Sequence, residues 1–121
     1  MGGGSGPDQE QYEARPVTPR FIVRAEAEAD IAEAYEWYEA QSSGLGEEYL
    51  AAIDEGLAAI REAPQHFPRV HREPGIEVRR ARLRRFPYGL YFIWDEVGTG
   101  EISVIACMHA CRDPRRWLRR A

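Results

Sequence analysis

A chain of 121 residues that is 44% hydrophobic, with three Trp and six Tyr, has enough apolar side chains for one globular core and little room for a second. It holds no apolar run near the ~20 residues that span a bilayer and no signal peptide at its start, so a cytoplasmic protein is expected. The formal net charge of −4 hides a division: residues 1–63 carry 14 Asp or Glu against 4 Arg, and residues 64–121 carry 12 Arg against 6 acids. All 16 basic residues are Arg. A basic C-terminal half facing away from acidic helices invites an acidic partner or nucleic acid.

Residues 1–19 show no apolar period and are read as a flexible tail, with residues 1–6 resembling a linker or tag remnant. The folded domain is expected over residues 20–121. Residues 20–24, Arg-Phe-Ile-Val-Arg, form a short β-branched run and predict a strand. Residues 26–41 predict a helix, because Ile31, Ala34, Tyr35 and Tyr38 repeat at i, i+3, i+4 and i+7 while the glutamates fall mostly elsewhere. Ser42, Ser43 and Gly44 end it. A second helix is predicted over residues 47–63, with a stripe of Tyr49, Leu50, Ile53, Leu57 and Ile60 and a stop at Pro64. The short turn between them makes an αα-hairpin.

Residues 65–75 read as an ordered loop holding Pro68, Pro74, His66 and His71. Three strands follow, at residues 76–85, 87–95 and 101–109, with a hairpin turn at residues 96–100. The first places Val78, Arg80, Arg82 and Arg84 on one face and Arg79, Ala81, Leu83 and Arg85 on the other. The second is apolar on both faces, as a central strand is. The expected fold is an α+β domain: an N-terminal strand, the αα-hairpin, then a three-stranded antiparallel sheet with the helices packed on one face, in the order β-α-α-β-β-β. Cys107 and Cys111, four apart on a strand, would sit on one face about 13 Å apart, too far to pair with each other. No second Cys or His pair completes a zinc site, so both are read as reduced packing residues.

Several stations carry a resemblance. Ala27-Glu28-Ala29-Asp30-Ile31 and Tyr35-Glu36-Trp37-Tyr38 lie on the first helix, Arg79 stands at the sheet, Arg85-Phe86-Pro87-Tyr88 leads into the third strand, and His109-Ala110-Cys111-Arg112-Asp113-Pro114 closes the chain. In this order they resemble the RelE/ParE superfamily of bacterial toxins from type II toxin–antitoxin pairs. The resemblance implies two chemistries on one fold. The RelE-like branch cleaves mRNA on the ribosome without a metal, and the ParE-like branch poisons DNA gyrase. The Phe-Pro-Tyr and Arg-Asp-Pro forms look more like the ParE branch. Where nuclease relatives commonly carry an Arg in the third strand this chain has Gly89, and its late aromatic is Trp117, which transfers no proton.

The resemblance therefore implies a gyrase-inhibiting toxin with no catalytic residues and no cofactor, neutralised by a cognate antitoxin in a hetero-oligomer. Target binding falls to Arg112, Arg115, Arg116 and Trp117, and antitoxin binding to Arg79, Arg80, Arg82 and Arg84, whose guanidinium forks match carboxylates or phosphates. The bland alternative for that arginine run is a solvated strand face with ion pairs to the acidic helices. The runner-up function is a ribosome-dependent mRNA endonuclease, with His109 moving a proton and Arg82 and Arg112 stabilising the phosphorane. Against it, a His ending an apolar strand is more often a packing residue. His66 and His71 have no metal partner at useful spacing, and Tyr35, Trp37 and Tyr38 read as core and rim of the hairpin rather than as base-stacking side chains.

Overall fold

The computed structural model describes residues 20–110 and residue 120. The expected tail at 1–19 lies outside the described residues, as do 111–119 and 121. The elements run β1 (Phe21–Val23), α1 (Ala25–Gln41), α2 (Leu45–Glu62), a 3₁₀ turn at Pro64–His66, β2 (Arg69–Glu73), β3 (Ile76–Arg82), β4 (Tyr88–Trp94) and β5 (Ile102–His109). Among the described residues no helix is long and apolar enough to cross a membrane.

α1 opens with Glu26 and Glu28 in its first turn, where the helix dipole favours acids. Its most buried positions are the small Ala27 and Ala34, which let the helix axis come close to β5, while Ile31, Tyr35 and Tyr38 flank them half-buried. Gly44 reverses the chain at φ +91°, a conformation that costs an L side chain about 1–2 kcal/mol. The Glu39 carboxylate then accepts the amides of Gly44 (3.0 Å) and Gly46 (2.9 Å), so α1 itself caps the start of α2. A Cβ at Gly46 would lie 2.7 Å from the Tyr35 ring, which is why the helices can cross here only over a glycine. α2 buries Tyr49, Ala52, Ile53 and Ile60 and stops before Pro64.

The sheet has five strands in the order β1-β5-β4-β3-β2, with β1 parallel to β5 and every other pair antiparallel. This corrects the expected three-stranded antiparallel sheet in two ways. β1 joins the sheet beside β5, which the intervening helical hairpin makes possible as a crossover. β2 lies in the segment read as a loop. Pro74 and Gly75, the latter at φ +83°, form a two-residue turn that sets Glu73 opposite Ile76. Four of its five residues, Arg69, His71, Arg72 and Glu73, are ionisable, so no apolar alternation marked it as a strand. Charge serves instead: Arg69 and Arg72 both grip Glu77 on β3, at 2.6 and 3.0 Å, and hold its carboxyl below the usual range. Such a polar edge also discourages pairing with other sheets.

The main core lies between the helices and one sheet face and includes Tyr49, Ile53, Ile60, Ala81, Leu90, Phe92 and Val104. A smaller cluster of Val78, Tyr91, Ile105, Ala106 and Met108 occupies the opposite face and contains no helix residue, so both helices sit on one side. A bulge decides which β5 residues go where. Tyr91 pairs with Ala106 and Phe92 with Val104, leaving Ile105 unmatched. Ile102 and Val104 therefore share the helix side with Cys107 rather than with Ala106 and Met108.

Leu90 is fully buried at the centre of the helix side. Leu90→Ala is expected to cost about 2–5 kcal/mol by urea denaturation. Cys107 is buried, and burial pushes its thiol up to about 12, a shift only partly offset by its hydrogen bond with Tyr49. In the unfolded chain a thiol ionises near ~8.5, so stability is full below that pH and falls as pH rises towards the folded value. Thermal melts between pH 8 and 11 should show this decline. Cys107→Ala should make it shallower, and in a Cys111→Ser background Cys107 should resist maleimide at pH 8 until the protein unfolds.

Candidate functional site

The turn from β3 to β4 gives the Phe-Pro-Tyr motif its structural meaning. β3 ends at Arg82, and Arg85 takes φ +74°, the only non-glycine among the described residues in the left-handed region. That reversal drives Phe86 inward. Its ring lies 5.0 Å from Tyr38 and 5.5 Å from Tyr49, edge to face, and Tyr88 lies 5.5 Å from Tyr49. Tyr49 is fully buried, its hydroxyl 3.3 Å from the Cys107 sulfur, and burial pushes its phenol far above its ordinary value. The motif thus clamps the turn onto the helical hairpin and fixes where the flanking arginines emerge.

Those arginines fall into two groups. Arg69 and Arg72 are held by Glu77. Arg85 meets Glu48 at 2.6 Å. Arg79 is buried, donating to the Phe67 carbonyl at 2.8 Å, stacked 5.4 Å from the Trp94 ring and 3.7 Å from Glu96. Arg80, Arg82 and Arg84, by contrast, have no ion-pair partner among the described residues. Arg80 Nε is shielded from solvent and has no hydrogen-bond partner among the described residues. Arg80 and Arg82 line a pit of about 300 Å³ together with Phe86, Gly89, Tyr91 and Ala110. Gly89 is its floor: a Cβ there would stand 3.1 Å from Arg80 Cγ and 3.2 Å from Cδ. The expected four-arginine antitoxin surface is therefore split. Arg79 points to the helix side with Ala81, Arg80 and Arg82 open on the other side, and Arg84 stands in the turn rather than on the strand.

His109 belongs to a different place. It closes β5 opposite Tyr88, with the two rings 5.3 Å apart, and lines a groove of about 520 Å³ beside α1 with Asp30, Ala34, Trp37, Tyr88 and Arg120. Trp37 is 58% exposed on the rim. Arg82 does not line this groove, and His109 does not line the pit. At the groove's base the Asp30 carboxylate accepts the Cys107 amide at 3.0 Å and meets Arg120 at 2.7 Å. Arg120 also donates to the Ile105 carbonyl, and its own carbonyl accepts from Arg24. These bonds replace the strand partner that β5 loses where β1 ends. Among the described residues no group of three or more His, Cys, Asp or Glu side chains converges to hold a metal ion.

Residues 21–114 of this chain match the family of the ParE toxin of the type II toxin–antitoxin system, parDE. The chain belongs to the ParE toxin family. A solved structure described as "Chromosomal ParDE TA system from P. aeruginosa" shares its fold, with a TM-score of 0.57 and 24% identity over 76% of this chain and 96% of that one. No curated protein matches the chain.

Family membership covers the turn, the pit and the groove alike, because all three lie within the matched span apart from Arg120. Of the target-binding residues expected from the sequence, Arg112, Arg115, Arg116 and Trp117 lie outside the described residues. So does Arg112 of the alternative catalytic set, whose other members, His109 and Arg82, open into different cavities. Sequence reasoning missed Asp30 and Arg120 as a pair. A lone Asp near the start of an acidic helix carries no mark that distinguishes it from a dipole partner. Asp30→Ala in this ParE-family chain should cost about 1–3 kcal/mol in a denaturation midpoint, because the Cys107 amide loses its acceptor. Asp30→Asn, which keeps an acceptor, should recover part of that loss.

Proposed function

We propose that this protein is the toxin of a type II toxin–antitoxin pair, that it inhibits DNA gyrase in the cytoplasm by direct binding, and that a cognate antitoxin neutralises it in a hetero-oligomer. The observation that carries the reading is the separation of His109, the proton-transfer residue of the nuclease alternative, from the guanidiniums of Arg80 and Arg82. Phosphodiester cleavage needs an acid or base within about 3 Å of the reacting oxygen and a cation on the same phosphate. His109 opens towards α1 beside Tyr88, whereas Arg80 and Arg82 open into the pit. Binding without chemistry fits that arrangement better than catalysis does. Family membership and the ParDE description of a fold relative add support.

In this reading Arg112, Arg115, Arg116 and Trp117 contact the gyrase, and the unpaired Arg80, Arg82 and Arg84 receive the antitoxin. Arg79 serves that surface indirectly, by holding β3 against Phe67 and Trp94.

A gyrase supercoiling reaction with trapped linear DNA as readout, run beside a ribosome reaction on mRNA, tests the proposal. Supercoiling should fail and linear DNA accumulate, with the mRNA intact. Cut mRNA with gyrase unaffected would replace the reading with an endonuclease centred on His109. Alanine at Arg112, Arg115 and Arg116 together should abolish growth inhibition while the melting temperature holds. Full toxicity in that variant would remove those residues from the target surface.

A further inference from the structure

The pit beside the β3–β4 turn has the marks of a site awaiting a particular group. A buried guanidinium nitrogen without an acceptor is a liability of the kind folded proteins rarely keep, and Arg80 Nε is one. Its neighbours do not repair it. Arg82 adds a second charge without an ion pair, and among the described residues no acidic side chain lines the cavity. Elsewhere in the same arginine run the protein does supply acceptors, giving Glu77 to Arg69 and Arg72, Glu48 to Arg85, and Phe67 O to Arg79. Its walls include Leu83, Phe86 and Tyr91, which keep water away and strengthen any charge pairing inside. The floor is bare only because position 89 is glycine, leaving the Arg80 stem to lie across it.

We propose that this pit seats one carboxylate, carried by an acidic side chain of the antitoxin, between the guanidiniums of Arg80 and Arg82. The proposal rests on the antitoxin partnership put forward above. Two forks facing one oxyanion allow bidentate pairing, which a single ammonium would not. A volume of about 300 Å³ suits one side chain with its apolar stem against Phe86 and Tyr91. A nucleic-acid strand would instead call for cations repeated along a track with stacking faces between them. Of the β3–β4 arginines without an ion pair among the described residues, only Arg84 lies beyond the pit, and it stands in the turn.

The test follows the arginine Nε–H resonances of the intact protein while a blocked glutamate (N-acetyl, α-amide) is titrated at constant ionic strength, with inorganic phosphate as a second arm. The Arg80 and Arg82 signals should shift together and saturate, at a glutamate concentration no higher than the phosphate needed. Arg80→Gln should abolish the Arg82 shift, Gly89→Ala should weaken it, and Arg20→Gln, an exposed arginine beside β1, should leave it unchanged. Tighter saturation by phosphate would assign the pit to a phosphodiester and overturn the proposal, as would the absence of any saturable shift. The cognate antitoxin, measured separately, should bind Arg80→Gln at least ~10-fold more weakly than the unaltered toxin. Equal affinity would overturn the carboxylate seat and leave the antitoxin partnership standing. An antitoxin that fails to bind even the unaltered toxin would defeat the partnership, whatever the glutamate titration shows of the pit.

Discussion

The structure depends on the aromatic cluster at Tyr49. This side chain leaves α2, is wholly enclosed, and meets Tyr38 from α1, Phe86 from the β3–β4 turn, Tyr88 from the start of β4, and the Cys107 sulfur from β5. Four elements far apart in the chain converge on one ring. Each contact is worth only about 0.5–1.5 kcal/mol beyond area burial, but together they set the angle between helical hairpin and sheet. They also tolerate the left-handed Arg85, because the turn's neighbours are held firmly enough to over-determine its backbone. What lies downstream, including the floor of the pit and the end of β5, takes its position from this clamp.

Charge follows a second logic. The acidic and basic halves of the chain do not simply neutralise each other across the helix–sheet boundary. Arg85 with Glu48 is such a pair, but both partners are largely exposed and contribute little to stability. The tighter arrangements are local to the sheet, as with Glu77 between Arg69 and Arg72, or capped by backbone, as with Arg79 on the Phe67 carbonyl. Removing one partner from the buried Arg79 arrangement would leave a charge without compensation, whereas Arg82 and Arg84 can change with little effect on the fold. Arginines alike in sequence therefore divide into those that build the domain and those without an ion pair among the described residues.

The same fold supports unlike activities in its superfamily, so the local chemistry has to decide among them. For the function proposed above, the feature that bears on the choice is alternation. β-strand side chains point to opposite faces in turn, and the pairings place Arg82 against Gly89 and Tyr88 against His109. Neighbouring positions on β4 thus carry the lines of Arg82 and His109 to different sides of the sheet. A nuclease reading needs them on one side. Position 89, bare of a side chain, leaves a cavity where a strand-borne cation would otherwise sit.

Much of this architecture was legible in the residues themselves. Helical spacing at Ile31, Tyr35 and Tyr38 and at Tyr49, Ile53 and Ile60, the stops at Gly44 and Pro64, and the two-sided apolar run of β4 are local properties, and local physics placed them within a residue or two. The residues of the family resemblance could also be read directly, because Phe86-Pro87-Tyr88 is a contiguous motif. Tertiary structure alone decided the rest. β2 is a strand because β3 offers it backbone partners and Glu77 a charge, not because its residues favour extension. β1 pairs in parallel with β5, a partner two helices and three strands away in the chain. The bulge at Ile105 reverses the parity that simple alternation assigns to Cys107. Arg79 and Arg80, adjacent and chemically identical, part company because one faces Phe67 and Trp94 and the other faces Gly89. Asp30 and Arg120 meet because β5 outruns β1 and its exposed amide and carbonyl need partners. Sequence determines what a residue can offer over a turn or a strand; which offers are taken up depends on what stands opposite, and that exists only in the folded chain.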